Sequence, residues 1–168
     1  MRTLTLLLGG AAAGAFAAFV MEKAQPQLIE LTHADQAGGG PSAAPEDAAD
    51  RLAYVATGRP LPEHRKRQGA MLVHYGVGAG LGAFYAFLAD RSRAITAGFG
   101  SLYGALAALL LDETAVPALR LSPPPQDTPK QARLYGLASH LVFGSALEGA
   151  RRLLLGWLPD DHADPQEA

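Results

Sequence analysis

The sequence predicts an all-α, polytopic membrane protein with four antiparallel transmembrane helices and small-residue packing faces. Three observations lead there. First, only 18% of the 168 residues are charged, against roughly 25% in soluble domains, and four stretches of spanning length carry almost none of that charge. Second, each stretch holds a row of small residues four apart that meets an ionisable residue: Gly10-Gly14-Ala18-Glu22, His74-Gly78-Gly82-Ala86, Gly100-Gly104-Ala108-Asp112 and Gly136-His140-Gly144-Glu148. Residues four apart share one helix face. Small residues there let backbones approach closely in lipid, and an ionisable group on that face points into the bundle. Third, the second and third stretches lack the continuous polar stripe that an outer helix of a soluble bundle needs.

Composition excludes several classes. Net charge is −2, so no basic excess suggests nucleic acid as a partner. Without cysteine there is no disulfide, thiolate metal site or cysteine nucleophile. The 19 glycines would weaken helices in water, but membrane helices use them. A length of 168 residues fits a single membrane domain over 1–168.

Segment one covers residues 3–22, long enough for a hydrocarbon core ~30 Å thick at ~1.5 Å per residue. A cleaved signal peptide is the rival reading, with Arg2 as basic flank and Ala15-Phe16-Ala17 as a small-residue cleavage site. Residues 23–68 form a polar loop. In it, Gly38 to Ser42 reads as a flexible linker. Pro45-Glu46-Asp47 opens a short helix, because proline suits the first turn and acids the positive end of the helix dipole. Ala48, Leu52, Val55 and Ala56 give that helix an apolar face for the membrane surface. Gly58-Arg59-Pro60 ends it, and the basic stretch His64 to Arg67 follows.

Segments two (69–89) and three (94–112) are separated only by Asp90 to Arg93, which predicts a tight antiparallel hairpin. The loop 113–131 holds Pro117, Pro123, Pro124, Pro125 and Pro129, and reads as a stiff, extended strap. Segment four covers 132–152. Trp157 suits an interfacial anchor, Pro159 stops the helix, and residues 159–168 read as a mobile acidic tail.

An antiparallel topology places both termini on one side and the two long loops on the other. Glu22, Asp112 and Glu113 then end segments one and three at the loop side. His74 and His140 lie ~8 and ~12 Å below that surface at ~1.5 Å per residue. Glu22, His74, Asp112, Glu113 and His140 thus form a candidate polar patch in one leaflet. Its plain reading is helix ends reaching water, with histidines bonded across helices. Its sharper reading is a proton-responsive site, since histidine titrates near neutrality. Glu148 falls in the opposite leaflet, with Arg151 and Arg152 three and four residues on as an intrahelical ion pair. The packing glycines are Gly10, Gly14, Gly78, Gly82, Gly100, Gly104, Gly136 and Gly144, with Gly76 and Gly80 as a second row on segment two. No Gly-x-Ser-x-Gly context surrounds Ser101, Ser139 or Ser145. Gly76 to Gly82 follows no strand, so helix packing explains it better than a dinucleotide loop. No metal-ligand spacing lies on one helix, and no catalytic residue or cofactor is predicted.

Val73-His74-Tyr75 with Gly82, Ala83 and Tyr85, then Leu121-Ser122-Pro123-Pro124, Ser139-His140-Leu141-Val142-Phe143, Glu148 and Arg151-Arg152, resemble the YagU-like family of bacterial inner-membrane proteins, a domain of unknown function. The resemblance covers most of residues 69–156. It implies a small multi-pass protein of the bacterial inner (plasma) membrane and carries over no activity, cofactor or catalytic residue.

Three functional readings follow. The first is a non-enzymatic structural, accessory or stress-related bundle, whose partners are the lipid bilayer and either a second copy or another membrane protein. The second is a proton-linked transporter or channel subunit using the His/carboxylate patch. The third is a membrane enzyme or metal protein. The arginines do not fix orientation. Arg91 and Arg93 in the short hairpin argue for one direction, and the larger basic count of the two long loops argues for the other.

Overall fold

The structure, a computed structural model, describes residues 1–37 and 44–156. The expected linker from Gly38 to Ser42, the Trp157 anchor, the Pro159 stop and the acidic tail lie outside the described residues. Within them the chain is helical, with no strand. Its α-helices are α1 (Arg2–Thr32), α2 (Ala44–Thr57), α3 (Glu63–Ala89), α4 (Ser101–Leu110), α5 (Val116–Ala118) and α6 (Lys130–Leu155). A π-helical turn, Leu111–Ala115, joins α4 to α5.

The small-residue rows pair two by two. A Cβ on Gly10 would lie 2.5 Å from the Gly82 carbonyl and 2.6 Å from the Ala86 methyl. One on Gly14 would overlap the Gly78 carbonyl, and one on Gly78 would lie 2.8 Å from the Ala18 methyl. Row one therefore runs antiparallel against row two, closing α1 on α3. Row three closes on row four in the same way. A Cβ on Gly104 would overlap the His140 carbonyl, and one on Gly144 would lie 2.8 Å from the Gly104 nitrogen. Contact this close is open only to residues without a side chain.

The two pairs meet through α1 and α6. Ala13, Ala17 and Ala18 of α1 pack with Phe143, Leu147 and Ala150 of α6 in one buried cluster. Leu6, Ala86 and Leu155 form a second cluster where the ends of α1, α3 and α6 meet. Tyr103 of α4 reaches α3, its hydroxyl donating to the Leu81 carbonyl at 2.8 Å. The interior is thus rich in Gly, Ala and Tyr, with a few larger apolar side chains such as Phe143 and Leu147. Most other large apolar residues face outward: Leu8 is 63% exposed and Leu72 76%, with Phe16, Phe84, Leu109 and Leu134 also on the outside.

Several boundaries differ from expectation. Helix α1 continues beyond Glu22, through Pro26, to Thr32, and His33 closes it in the left-handed region at φ 53°. The basic stretch His64 to Arg67 lies in the first turns of α3 rather than in a loop. Segment three does not begin at Ala94. Arg93–Thr96 is a 3-10 turn, and Gly98, Phe99 and Gly100 take φ of 60°, 55° and 81°, a run that no right-handed helix accommodates. The helix starts at Ser101, so the connection from α3 is a longer irregular turn and not a tight hairpin. At its far end the π turn, α5 and Pro117 occupy what the sequence reads as loop. The proline strap is shortened to match, and Pro125–Asp127 forms a 3-10 turn.

Helix α2 packs on the start of α3, where Ala49 and Leu61 cover Gly69. Asp50 accepts the Leu61 amide at 2.6 Å. Arg51 donates to the carbonyls of Leu119 at 2.5 Å and Arg120 at 3.3 Å, tying α2 to the chain after α5. Its expected apolar face, with Leu52 and Val55, stays exposed. Two helices, α1 and α3, are long and apolar enough to cross a membrane. The π turn interrupts α4, and α6 carries Lys130, Arg133, Glu148, Arg151 and Arg152, so neither α-helix is both long and apolar enough by itself.

Candidate functional site

Polar side chains gather at both ends of the bundle. At the end where α1 starts and α3 and α6 finish, Glu148 is fully buried. Four donors converge on its carboxylate. Arg151 donates from Nε to Oε2 at 2.7 Å and from Nη2 to Oε1 at 3.0 Å. Arg152 Nε donates to Oε1 at 2.6 Å, and the Tyr85 hydroxyl of α3 donates to Oε2 at 2.8 Å. The expected intrahelical ion pair is present because spacings of three and four put both guanidiniums on the carboxylate's face. Tyr85 is the partner sequence reasoning missed. Its signal is a phenolic hydroxyl inside an apolar segment, which burial obliges to find an acceptor. Gly100 makes room: a Cβ there would lie 2.9 Å from the Glu148 Cβ and overlap the Gly144 carbonyl. Close by, Arg2 Nη2 donates to Asp90 Oδ1 at 2.6 Å, and Arg91 lies 4.0 Å from the other oxygen. Arg91 and Arg152 also rest on the Phe87 and Phe99 rings, at 3.5 and 4.9 Å from the centroids.

At the other end the five residues expected to form one patch divide into separate groups. Glu22 accepts the Tyr75 hydroxyl at 2.7 Å, and Lys23 lies 3.7 Å away. His74 Nε2 is 3.2 Å from the Ala18 carbonyl. A carbonyl only accepts, so Nε2 carries the hydrogen. This group belongs to the α1–α3 pair. The second group belongs to α4, the π turn and α6. His140 Nδ1 is 3.0 Å from the Gly136 carbonyl and 3.2 Å from Asp112 Oδ2, so Nδ1 is the protonated nitrogen and its hydrogen is shared between two acceptors. Glu113 takes a two-point bond from Arg133 at 2.9 and 3.0 Å.

Among the described residues, no hydrogen bond or ion pair joins the His74 group to the His140 group. The five residues are bonded in two groups that follow the helix pairing, α1 with α3 and α4 with α6.

The Asp112–His140 contact depends on two local features. Gly136 leaves space for the carboxylate, since a Cβ there would lie 2.8 Å from Asp112 Oδ2. The π turn carries both Asp112 and Glu113, and Thr114 Oγ1 donates five residues back to the Leu109 carbonyl at 2.9 Å. Such turns recur at functional sites. The Tyr135 hydroxyl and Ser139 Oγ, one turn apart on α6, are both buried and interact with each other. Among those residues no three of His, Asp and Glu are grouped so as to hold a metal ion. Gly76 and Gly80 face open space and take no part in packing within the chain. No family model, curated protein or solved structure matches the chain.

Proposed function

We propose that this chain is a four-span integral protein of the bacterial inner membrane that works without catalysis, as a structural or accessory helical bundle. The observation that carries this reading is the inverted arrangement of side chains. Small residues line the helix seams and Tyr85, Ser139, His140 and Glu148 lie buried beside a few apolar side chains such as Phe143 and Leu147, while most of the large leucines and phenylalanines form the outer surface. In water such an exterior favours aggregation; in lipid it is the matched surface, and small-residue seams supply the packing. Helices α1 and α3 meet the length and hydropathy requirement by themselves. In this reading α4 with α5, and α6, join them because their rows close on one another and their charges are neutralised in pairs.

A second reading, a proton-linked transporter or channel subunit, is favoured by one observation: the Asp112–His140 pair beside a π turn, with the buried hydroxyls of Tyr135 and Ser139 on the same helix. Proton flux in proteoliposomes separates the two. The structural reading expects only basal leak, the same for wild type and His140→Ala. A pH-dependent flux that His140→Ala abolishes would establish the second reading and overturn the first.

A further inference from the structure

The π turn Leu111–Ala115 meets α6 through two polar contacts, Asp112 with His140 and Glu113 with Arg133. The first sits over Gly136. Within 4 Å, a Cβ at Gly136 would meet only Oδ2 and Cγ of Asp112, at 2.8 and 3.7 Å. Among the described residues, that carboxylate alone covers this part of α6. The two partners differ in freedom. The His140 side chain keeps 10% of its exposure and is fixed in the seam, whereas Asp112 keeps 41% and has an open path to solvent.

The hydrogen bonds of the ring make its need for Asp112 depend on charge. Nδ1 has two acceptors, the Gly136 carbonyl of its own helix at 3.0 Å and Asp112 Oδ2 at 3.2 Å. If the carboxylate leaves a neutral ring, Nδ1–H still has the carbonyl, and no buried donor is stranded. Nε2 makes no hydrogen bond among the described residues, so its lone pair is left to accept a proton. A ring protonated there is a buried cation, which is costly without a counter-charge, and Asp112 is the carboxylate in contact with it. The other titratable groups nearby are engaged elsewhere. Glu113 is held by Arg133, Tyr135 interacts with Ser139, and Tyr103 of α4 donates to the Leu81 carbonyl. Glu22, Lys23, His74 and Tyr75 of α1 and α3 are bonded within their own pair of helices.

We propose that the Asp112–His140 pair is a pH-operated latch: a protonated ring clamps the π turn and the end of α4 to α6, and a neutral ring lets the turn lift from Gly136. The latch goes beyond both functional readings above, because no proton has to cross the protein for it to work. Histidine titrates between about pH 5 and 8, so the turn is held on the acid side of that window and loosened on the alkaline side. Glu113–Arg133 is the second tie of the same turn and contains no histidine.

The test is hydrogen–deuterium exchange of the full chain in detergent at about pH 6 and about pH 8, corrected for the intrinsic pH dependence of amide exchange. Residues 111–119 are expected to be about fivefold better protected at the lower pH, the difference between a charge-assisted and a neutral hydrogen bond, while α1 and α3 stay unchanged. His140→Gln, which keeps a neutral donor, is expected to remove the pH dependence. Asp112→Asn is expected to invert it, because the charged ring then has no counter-charge. His74→Gln, which removes the other buried-face histidine, is expected to leave it as in the wild type. Equal protection of residues 111–119 at the two pH values in the wild type overturns the latch without any variant. So does a pH dependence that is shared by every helix, that survives His140→Gln, that keeps its sign in Asp112→Asn, or that disappears in His74→Gln.

Discussion

The seam between α1 and α3 makes a signed prediction from two glycines on one helix. Gly80 and Gly82 are two residues apart in α3, so Gly→Ala changes intrinsic helix propensity equally at both. Their surroundings differ. A Cβ at Gly80 meets nothing within 4 Å, whereas at Gly82 it would lie 2.5 Å from the Gly14 Cα and overlap the Gly10 carbonyl. Ordinary contact begins at 3.4 Å, so α1 must withdraw by at least about 0.9 Å, and a gap of ~0.5–1 Å forfeits a quarter to a half of each dispersion well along the seam. The atoms in the way are backbone, which no side-chain rotation can move aside. Gly82→Ala is therefore expected to destabilise by about 3 kcal/mol, the upper end of ordinary overpacking. Gly80→Ala is expected to be neutral or to stabilise by up to about 1 kcal/mol. Steric trapping or titration with a denaturing detergent measures both. Values within about 0.5 kcal/mol of each other would refute the close-packed seam.

The remaining predictions follow from the same contacts. Glu148→Gln leaves two guanidiniums around a buried neutral amide and is expected to cost about 3–5 kcal/mol; adding Arg152→Gln should restore part of it, read as a coupling energy in a double-mutant cycle. Tyr85→Phe removes one of four donors to that carboxylate and should cost only about 1 kcal/mol in the same assay. Gly76→Leu with Gly80→Leu should leave the fold intact, because both positions are open; if this face holds a second copy, the mass in detergent falls to that of one chain.

The spacing of the rows was legible in the sequence because four-residue spacing is local. So was the bond of Glu148 to Arg151 and Arg152, which needs only one helix. Contacts between distant residues were not. Tyr85 with Glu148 and Arg2 with Asp90 join residues 63 and 88 apart, and no local pattern encodes them. The division of the polar residues into two bonded groups was not legible, because depth along a helix follows from counting residues, whereas the direction a side chain faces follows from which helix pairs with which. Ala94 and Ile95 extend the apolar run of segment three, yet Gly98 and Gly100 flank Phe99 and turn the backbone left-handed. A pair of glycines so close together was the available breaker signal. The continuation of α1 through Pro26 ran against proline's usual effect: the missing N–H leaves the Glu22 carbonyl without its normal partner, and the helix continues nonetheless.

The absence of cysteine makes the central claim directly measurable. Single cysteines at the exposed positions Arg59, Ser92 and Gln126 can be labelled in intact cells with a membrane-impermeant maleimide. Four spans require Arg59→Cys and Gln126→Cys to label from one side and Ser92→Cys from the other. If only α1 and α3 cross the bilayer, Gln126→Cys instead labels with Ser92→Cys, and that result would contradict the four-span account.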